Sequence, residues 1–383
     1  MRIGIVTDTY TPQVNGVTTV VRRIAEALDA QGHEFALAAP RYPESAPAAG
    51  NELRVASVPF PPYPAIRLSW PRPGQVARFF DAFQPDLMHV HTEGPLGLAG
   101  RRYAVERGLP LLSSFHTNFP QYAAQYRAGA LAPLVWRWLA WFHRPSSAVL
   151  TPGEAIRADL ERHGIGRARV WGRGVDTRHF RPDRRDGRWR ADLAGFPHRP
   201  VVLHVGRLAP EKNLDILIAS WRDARERVGD RATFVVAGEG PLRERIAAEL
   251  PFVRWLGFLS REELARLYAS ADLCVLPSHT ETCGLVALEA MASGIPVIAA
   301  DAGGLRESVH HGVTGLLVPP SDARGFAEAI ESLVNDPSRR AAFGAAARTA
   351  ALERDSAQED MELLTHYAAL IGQRTQRMAA CAA

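Results

Sequence analysis

Short apolar runs bounded by glycine, proline or charged residues alternate with longer amphipathic stretches along the whole chain. Residues 2–7, 35–39, 53–58, 86–90, 111–114 and 148–151, with a strand and turn over 170–176, read as a first series of buried strands, and 201–205, a strand and loop over 234–240, 253–258, 274–276, 297–300 and 315–318 as a second. Between them apolar residues recur at helical spacing. Val17, Val20, Val21, Ile24 and Leu28 give a helix over about 17–30, and Leu131, Leu134, Val135, Trp138, Leu139 and Phe142 form one stripe over 131–142. Further helices are expected at 152–163, from 214, at 284–292, and from about 322 to the end. A proline-rich stretch, 59–73, reads as a long rigid loop and a candidate border of an acceptor groove. Strands alternating with helices in two series predict an α/β protein of two doubly wound halves. The boundary is drawn at residues 185/186, with the Arg, Pro and Asp-rich segment 181–200 as the hinge.

The chemistry concentrates in residues 279–304, HTETCGLVALEAMASGIPVIAADAGG. A strand ends at Leu276, a polar loop carries Glu281, and a helix follows from Gly284 with Glu289 inside it. In a parallel sheet such loops gather at the carboxyl ends of the strands, where ligands bind. The backbone N–H groups of Gly284, Leu285 and Val286 at the helix start suit a phosphate, and Glu281 and Glu289 suit hydroxyls. A second reading stays open: Glu281 favours the positive helix end and Glu289 lies on a solvated face. The loop Gly206–Arg207–Leu208–Ala209–Pro210–Glu211–Lys212–Asn213 before another helix brings a glycine and two cations to an anion site. Of the 45 basic residues Lys212 is the one lysine, which fits a place for a compact ammonium and not a planar guanidinium.

The run E-T-C-G-L-V-A-L-E-A-M-A-S-G-I-P-V resembles the E-x7-E signature of retaining glycosyltransferases of family four, with Cys283 where an aromatic is usual. The resemblance implies the GT-B fold, two Rossmann-like domains with a cleft between them: residues 1–185 binding the acceptor, 186–355 the nucleotide sugar, and 356–383 a helix crossing back onto the first domain. It implies that Arg207 and Lys212 hold the donor diphosphate, that Gly16 at a helix start after the first strand contacts the same group, and that His116 lies near the reacting carbon. Glu281 would hold the sugar hydroxyls, Glu289 the ribose, and residues 253–258 would lie by the nucleobase. Cys283, Gly284, Leu285 and Val286 complete the donor site, and His91 is a candidate acceptor residue. The segment 115–144 resembles the branch that glycosylates membrane lipids, the GDP-mannose-dependent alpha-mannosyltransferases and sulfoquinovosyltransferases. Within it Trp136 and Trp141 lie off the predicted stripe beside Arg137 and Arg144, as in a helix at a membrane interface. No D-x-D pair occurs, so no metal is expected to hold the diphosphate, and no cofactor beyond the nucleotide sugar.

Charge sharpens the membrane reading. Residues 1–185 carry 23 basic and 15 acidic residues, a balance of +8, and 186–383 carry 22 and 26, a balance of −4. The dispersed arginines of the first half come with no nucleic-acid motif, so an anionic membrane surface is the expected partner, alongside a lipid or glycolipid acceptor; no protein partner is evident. No apolar run is long enough to span a bilayer, the amino terminus does not read as a signal peptide, and three scattered cysteines fit a reducing compartment. The expected place is the cytoplasm, at the inner face of the plasma membrane. The expected reaction is transfer of a hexose, first mannose from GDP-mannose, to a lipid or glycolipid. A UDP-hexose donor, glucose or sulfoquinovose, with a diacylglycerol or a soluble or polysaccharide acceptor, is the alternative. A nucleotide-sugar epimerase and a non-catalytic binding subunit are the readings from other classes.

Overall fold

The computed structural model describes all residues except 14, 46–47, 61–62, 117–130, 173, 197 and 383. The chain divides into two compact units, Met1–Gly172 with Ala357–Ala383, and Arg173–Ser356.

The first unit is built on a seven-stranded sheet. Its strands are β1 (Arg2–Val6), β2 (Glu34–Pro40), β3 (Glu52–Val55), β6 (Leu87–Val90), β7 (Leu111–Ser114), β8 (Ala148–Thr151) and β9 (Ala168–Val170), with β4 (Ser57–Phe60) and β5 (Tyr63–Ser69) forming a separate hairpin. The order is β3-β2-β1-β6-β7-β8-β9, every pair parallel. Helices α1 (Gly16–Ala30), α2 (Gln75–Phe83), α3 (Pro95–Glu106), α4 (Ala132–His143) and α5 (Glu154–Arg162) connect them. The central strands are short buried runs because both sheet faces are covered: Ile3 and Ile5 pack with Val21, Ile24 and Leu28 of α1, and Val6, Met88 and Val90 pack with Phe80, Leu96 and Tyr103.

Two expectations change in this unit. The apolar run 53–58 breaks at Ala56, and the stretch read as a loop from 59 is largely the antiparallel β4–β5 ladder, Ser57 facing Ser69 and Val58 facing Leu68. A two-stranded ribbon has open edges, so it accommodates Pro59 where an internal strand would not. Arg67 fastens it by donating to the Ser57 hydroxyl and carbonyl, both at 2.7 Å. The strand and turn expected over 170–176 lie later than the strand itself, which is Ala168–Val170; the following residues leave the sheet, and Val175 bridges Asp355 within the second unit.

The second unit repeats the plan with six strands. They are β10 (Val201–Val205), β11 (Thr233–Ala237), β12 (Arg254–Gly257), β13 (Leu273–Leu276), β14 (Val297–Ala300) and β15 (Gly315–Val318), all parallel in the order β12-β11-β10-β13-β14-β15. Its helices are α6 (Gly187–Ala194), α7 (Leu214–Val228), α8 (Arg243–Glu249), α9 (Arg261–Ser270), α10 (Leu285–Ala292), α11 (Gly303–Ser308), α12 (Ala323–Asn335) and α13 (Pro337–Leu352).

The unit begins at Arg173, not at residue 186, and 181–200 is no open hinge. Phe180, Leu193 and Ala194 belong to its core, and the buried Arg190 donates to Asp272 and to the Ser270 carbonyl, each at 2.7 Å. Charged residues gave this segment a linker's composition because its docking at the amino ends of the central strands β10 and β13 is ionic. Closing the chain is α14 (Ser356–Ala382), whose Leu363, Leu364, Tyr367 and Leu370 lie in the same apolar cluster as Ile3, Ile5 and Ile24 of the first unit. Arg23 reaches Asp360 at 2.9 Å and the Trp171 indole donates to the Glu359 carbonyl at 3.0 Å.

Candidate active site

In a doubly wound sheet a crevice opens where the strand order reverses, outside the carboxyl ends of the two strands at that point. In the second unit these are β10 and β13, followed by the loops 206–213 and 277–284. The loops are tied together by side chains that the sequence did not single out. Asn213, at φ 57° and capping α7, donates to the carbonyls of Pro277 at 3.0 Å and Pro320 at 2.8 Å. The Thr280 and Ser278 hydroxyls donate to the Glu211 carbonyl at 2.8 and 3.3 Å. A left-handed asparagine directly after Lys212 was the available signal, since asparagine tolerates that conformation.

Across the same crevice the Lys212 ammonium meets the Glu281 carboxylate at 2.5 Å, each about one-fifth exposed. The one lysine and the first glutamate of the E-x7-E pattern therefore form an ion pair between the two strand-end loops. Arg207 lies in the first loop, and its partial burial lowers its pKa against a raising contribution from Glu211. Glu289 takes a different environment within α10. It receives the Tyr268 hydroxyl at 3.1 Å, and burial pushes its carboxyl up to about 7, opposed by that hydrogen bond and by Arg261. The two glutamates are thus one paired carboxylate and one poised near neutrality; neither is merely a solvated face residue.

Backbone geometry shapes the helix start. Gly284 caps α10 at φ 72°, where a Cβ would stand 2.8 Å from Leu305, and no side chain caps the helix. The first-turn amides at Leu285 and Val286 are therefore not taken by a capping side chain, and the half-buried Cys283 immediately precedes them. The pair Gly303–Gly304 has a packing reason: Gly304 donates its N–H to the Glu281 carbonyl at 2.7 Å, and a Cβ on Gly303 would lie 2.6 Å from that oxygen. These glycines buttress the acidic loop from behind.

The first unit has its reversal between β1 and β6. Gly16, the exposed first residue of α1, stands after β1, where the Asn15 side chain caps the helix by accepting from the Thr18 N–H at 2.9 Å. Asp8, which sequence reasoning passed over, accepts from the amides of Leu96 and Gly97 at 2.9 and 3.1 Å and from the Thr92 hydroxyl at 2.8 Å. It closes the amino end of α3, and burial raises its pKa despite those bonds. Because β6 and β7 are neighbours, the histidines beyond their ends meet: His91 Nδ1 lies 3.0 Å from His116 Nε2. Burial holds both neutral, His116 down to about 4 and His91 well below the usual range, with smaller contributions from Arg23 on the former and from His89 and His116 on the latter. Residues 117–130, which carry much of the segment 115–144, lie outside the described residues.

Helix α4 rotates relative to its expected stripe. Leu139, Phe142 and His143 are buried, whereas Leu131, Leu134 and Trp138 of that stripe are 54%, 63% and 40% exposed. Trp136, expected outside, packs beside Phe115 and stacks on His163 with ring centroids 3.8 Å apart. Trp141 is outside, with the Arg101 guanidinium 4.0 Å over its ring, and Arg137 and Arg144 are exposed. A nearly all-apolar helix can bury either side, and the buried side is set here by the Phe115, Val149 and Leu160 cluster.

Residues 14–179 match Glycosyltransferase Family 4, and residues 186–350 match Glycosyl transferases group 1. A GDP-mannose-dependent alpha-mannosyltransferase of Mycolicibacterium smegmatis is 36% identical over 387 residues, covering 99% of this chain and 100% of that protein. The chain belongs to glycosyltransferase family 4. This family 4 enzyme is a GT-B hexosyltransferase that transfers a sugar from a nucleotide sugar. The sulfoquinovosyl transferase SQD2 of Arabidopsis thaliana is 34% identical over 302 residues, 76% of this chain and 58% of that protein. Anabaena HepE, solved in complex with UDP-glucose, has the same fold, with a TM-score of 0.72 at 21% identity over 99% of this chain and 100% of that one. No helix among the described residues is long and apolar enough to cross a membrane.

Proposed function

We propose that this family 4 glycosyltransferase moves mannose from GDP-mannose, with retention of configuration and without a metal, to a lipid or glycolipid acceptor at the cytoplasmic face of the membrane. The observation that carries the donor half is the Lys212–Glu281 pair at the strand-order reversal of the second unit. An arriving diphosphate competes with the carboxylate for the Lys212 ammonium. Drawing Lys212 onto the phosphate releases Glu281 for the hydroxyls of the sugar, so one exchange prepares both contacts. Arg207, Lys212, Gly16 and the amides of Gly284, Leu285 and Val286, beside Cys283, stabilise the charge that grows on the diphosphate as the glycosidic bond breaks. Glu289 receives the ribose hydroxyls, and His116 positions the sugar near the reacting carbon. The two cations stand in for a metal.

The acceptor half rests on α4. Leu131, Leu134, Trp138 and Trp141 form an exposed apolar stripe flanked by Arg101, Arg137 and Arg144 in the basic half of the chain. Aromatic residues beside arginine suit the headgroup boundary of an anionic bilayer, which supports an acceptor drawn from it. The similarity to a GDP-mannose-dependent alpha-mannosyltransferase supports mannose as the sugar. The similarity to SQD2 keeps a UDP-hexose, with glucose or sulfoquinovose, as the second reading.

The test is release of GDP or UDP from a panel of nucleotide sugars in EDTA, with and without a diacylglycerol-based acceptor. Release from GDP-mannose alone, only with lipid and unaffected by EDTA, is expected. Loss of turnover in EDTA would overturn the metal-free reading, and sugar turnover with no acceptor would bring the epimerase forward.

A further inference from the structure

The paired histidines of the first unit have a definite proton arrangement that their surroundings select. His91 is 1% exposed, and its Nδ1 is 3.0 Å from His116 Nε2, whereas its own Nε2 is buried without a hydrogen-bond partner among the described residues. Both rings are neutral, so one proton lies between these two nitrogens. Two arrangements satisfy that. In one, His91 carries its proton on Nδ1 and donates, leaving a buried bare nitrogen at Nε2. In the other, His116 donates from Nε2, and His91 must bury an N–H at Nε2 with no acceptor among the described residues. Among backbone groups a buried orphan donor is the rarer defect and an under-satisfied acceptor the more tolerated one, and the same order is taken for these ring nitrogens. The ring behind His91 does not relieve it: His89, with centroids 3.8 Å away, already has Tyr367 at 2.6 Å on Nδ1 and Ser114 at 2.8 Å on Nε2.

We propose that His91 is a positioning residue that holds His116 as the Nδ1–H tautomer by donating its own Nδ1–H to His116 Nε2. His116 then faces substrate as a hydrogen-bond donor and not as a base. This assigns its role in orienting a sugar or phosphate oxygen, and rests on the reading of His116 as a substrate contact. His89, seated on Tyr367 of α14 and Ser114 of β7, fixes the plane in which His91 lies. The chain His89, His91, His116 thus converts a packed strand end into one imidazole with a set orientation and a set proton, as second-layer hydrogen bonds do elsewhere.

The experiment is nitrogen-15 NMR of the full chain labelled at histidine, with the His116 ring assigned by its loss in His116→Asn. The expected result is a bare Nε2 and a protonated Nδ1 on His116 at neutral pH. In His91→Phe, which removes the donor, His116 loses that tautomer preference and kcat for sugar transfer falls about 100-fold, with donor KM little changed. His91→Asn, whose amide N–H stands where Nδ1 stood, restores the tautomer and recovers at least about tenfold of that loss. Nucleotide binding and the thermal transition report whether each variant is folded. A protonated Nε2 on His116 in the wild-type chain overturns the proposal, as does His91→Asn falling as far as His91→Phe with the fold intact. If the wild-type chain transfers no sugar from any donor, the functional reading fails while the NMR result still decides the tautomer.

Discussion

Glu289 offers a test in which stability and pH separate a buried, poised carboxyl from a solvated one. Its pKa is pushed by burial from an ordinary 4.5 to about 7. At about 1.4 kcal/mol per unit the full displacement corresponds to roughly 3 kcal/mol, an upper bound because the residue keeps part of its surface in water. The sign follows from proton binding. Below the unfolded value both states are protonated and nothing is lost. Between the two values the folded chain keeps the proton that the unfolded chain has released, so stability declines as pH rises. Above about 7 the folded protein carries the whole cost of a charged carboxylate beside Tyr268. Glu289→Gln keeps a neutral acceptor for the Tyr268 hydroxyl and removes the titration.

The difference in stability between wild type and Glu289→Gln should therefore move in favour of the variant by about 2–3 kcal/mol between about pH 5 and about pH 8. At roughly 2–4 °C per kcal/mol for units of this size, that is a change of about 5–10 °C in the gap between their melting temperatures, read by scanning calorimetry. A gap constant within about 2 °C over that range would refute the burial argument and return Glu289 to a solvated face. Donor binding should run the opposite way. A charged Glu289 is the better acceptor for ribose hydroxyls, so nucleotide affinity should rise through pH 7 in wild type and stay level in Glu289→Gln, measured by isothermal titration.

Lys212→Ala should lower kcat about 100- to 1,000-fold, and Lys212→Arg should recover little of it, because a planar fork does not fit the single carboxylate contact that a compact ammonium makes at 2.5 Å; steady-state kinetics with the preferred donor decides. Gly303→Ala forces an alanine to φ 51° and a Cβ to within 2.6 Å of the Glu281 carbonyl, so a loss of about 2 kcal/mol or more and a raised donor KM are expected from denaturant melts and kinetics. Replacing Trp138 and Trp141 together by Ala should weaken co-sedimentation with anionic vesicles about tenfold or more while the circular dichroism spectrum holds; binding at wild-type strength would remove α4 from the membrane surface.

Strands were legible where a short apolar run is buried on both faces. Residues 111–114, 148–151, 201–205 and 297–300 coincide with β7, β8, β10 and β14, because nothing but a covered parallel sheet asks for four or five such residues between glycine and proline breaks. The candidate site could be proposed from the sequence only as a set of residue types. Its couplings were not, since they depend on strand order. Lys212 meets Glu281 because β10 and β13 flank the reversal, and His91 meets His116 because β6 and β7 are neighbours. Neither adjacency leaves a trace in local spacing.

The remaining misreadings share a physical cause, a composition that serves two structures equally well. In α4 Trp136 and Trp138 are equally apolar, and only the ring of His163 and the Phe115 cluster decide which turns inward. In 181–200 the charges that mark an exposed linker are the ones that bury themselves, Arg190 on Asp272, once a partner carboxylate lies at the amino end of the internal strand β13. Charge on a segment therefore predicts exposure only where no opposite charge is brought to it by the fold. The same rule applies inside the site: Glu281 and Glu289 occupy one motif, yet the fold brings a cation to the first and a phenol to the second. One motif thereby yields a carboxylate held in an ion pair and another whose charge is set by pH.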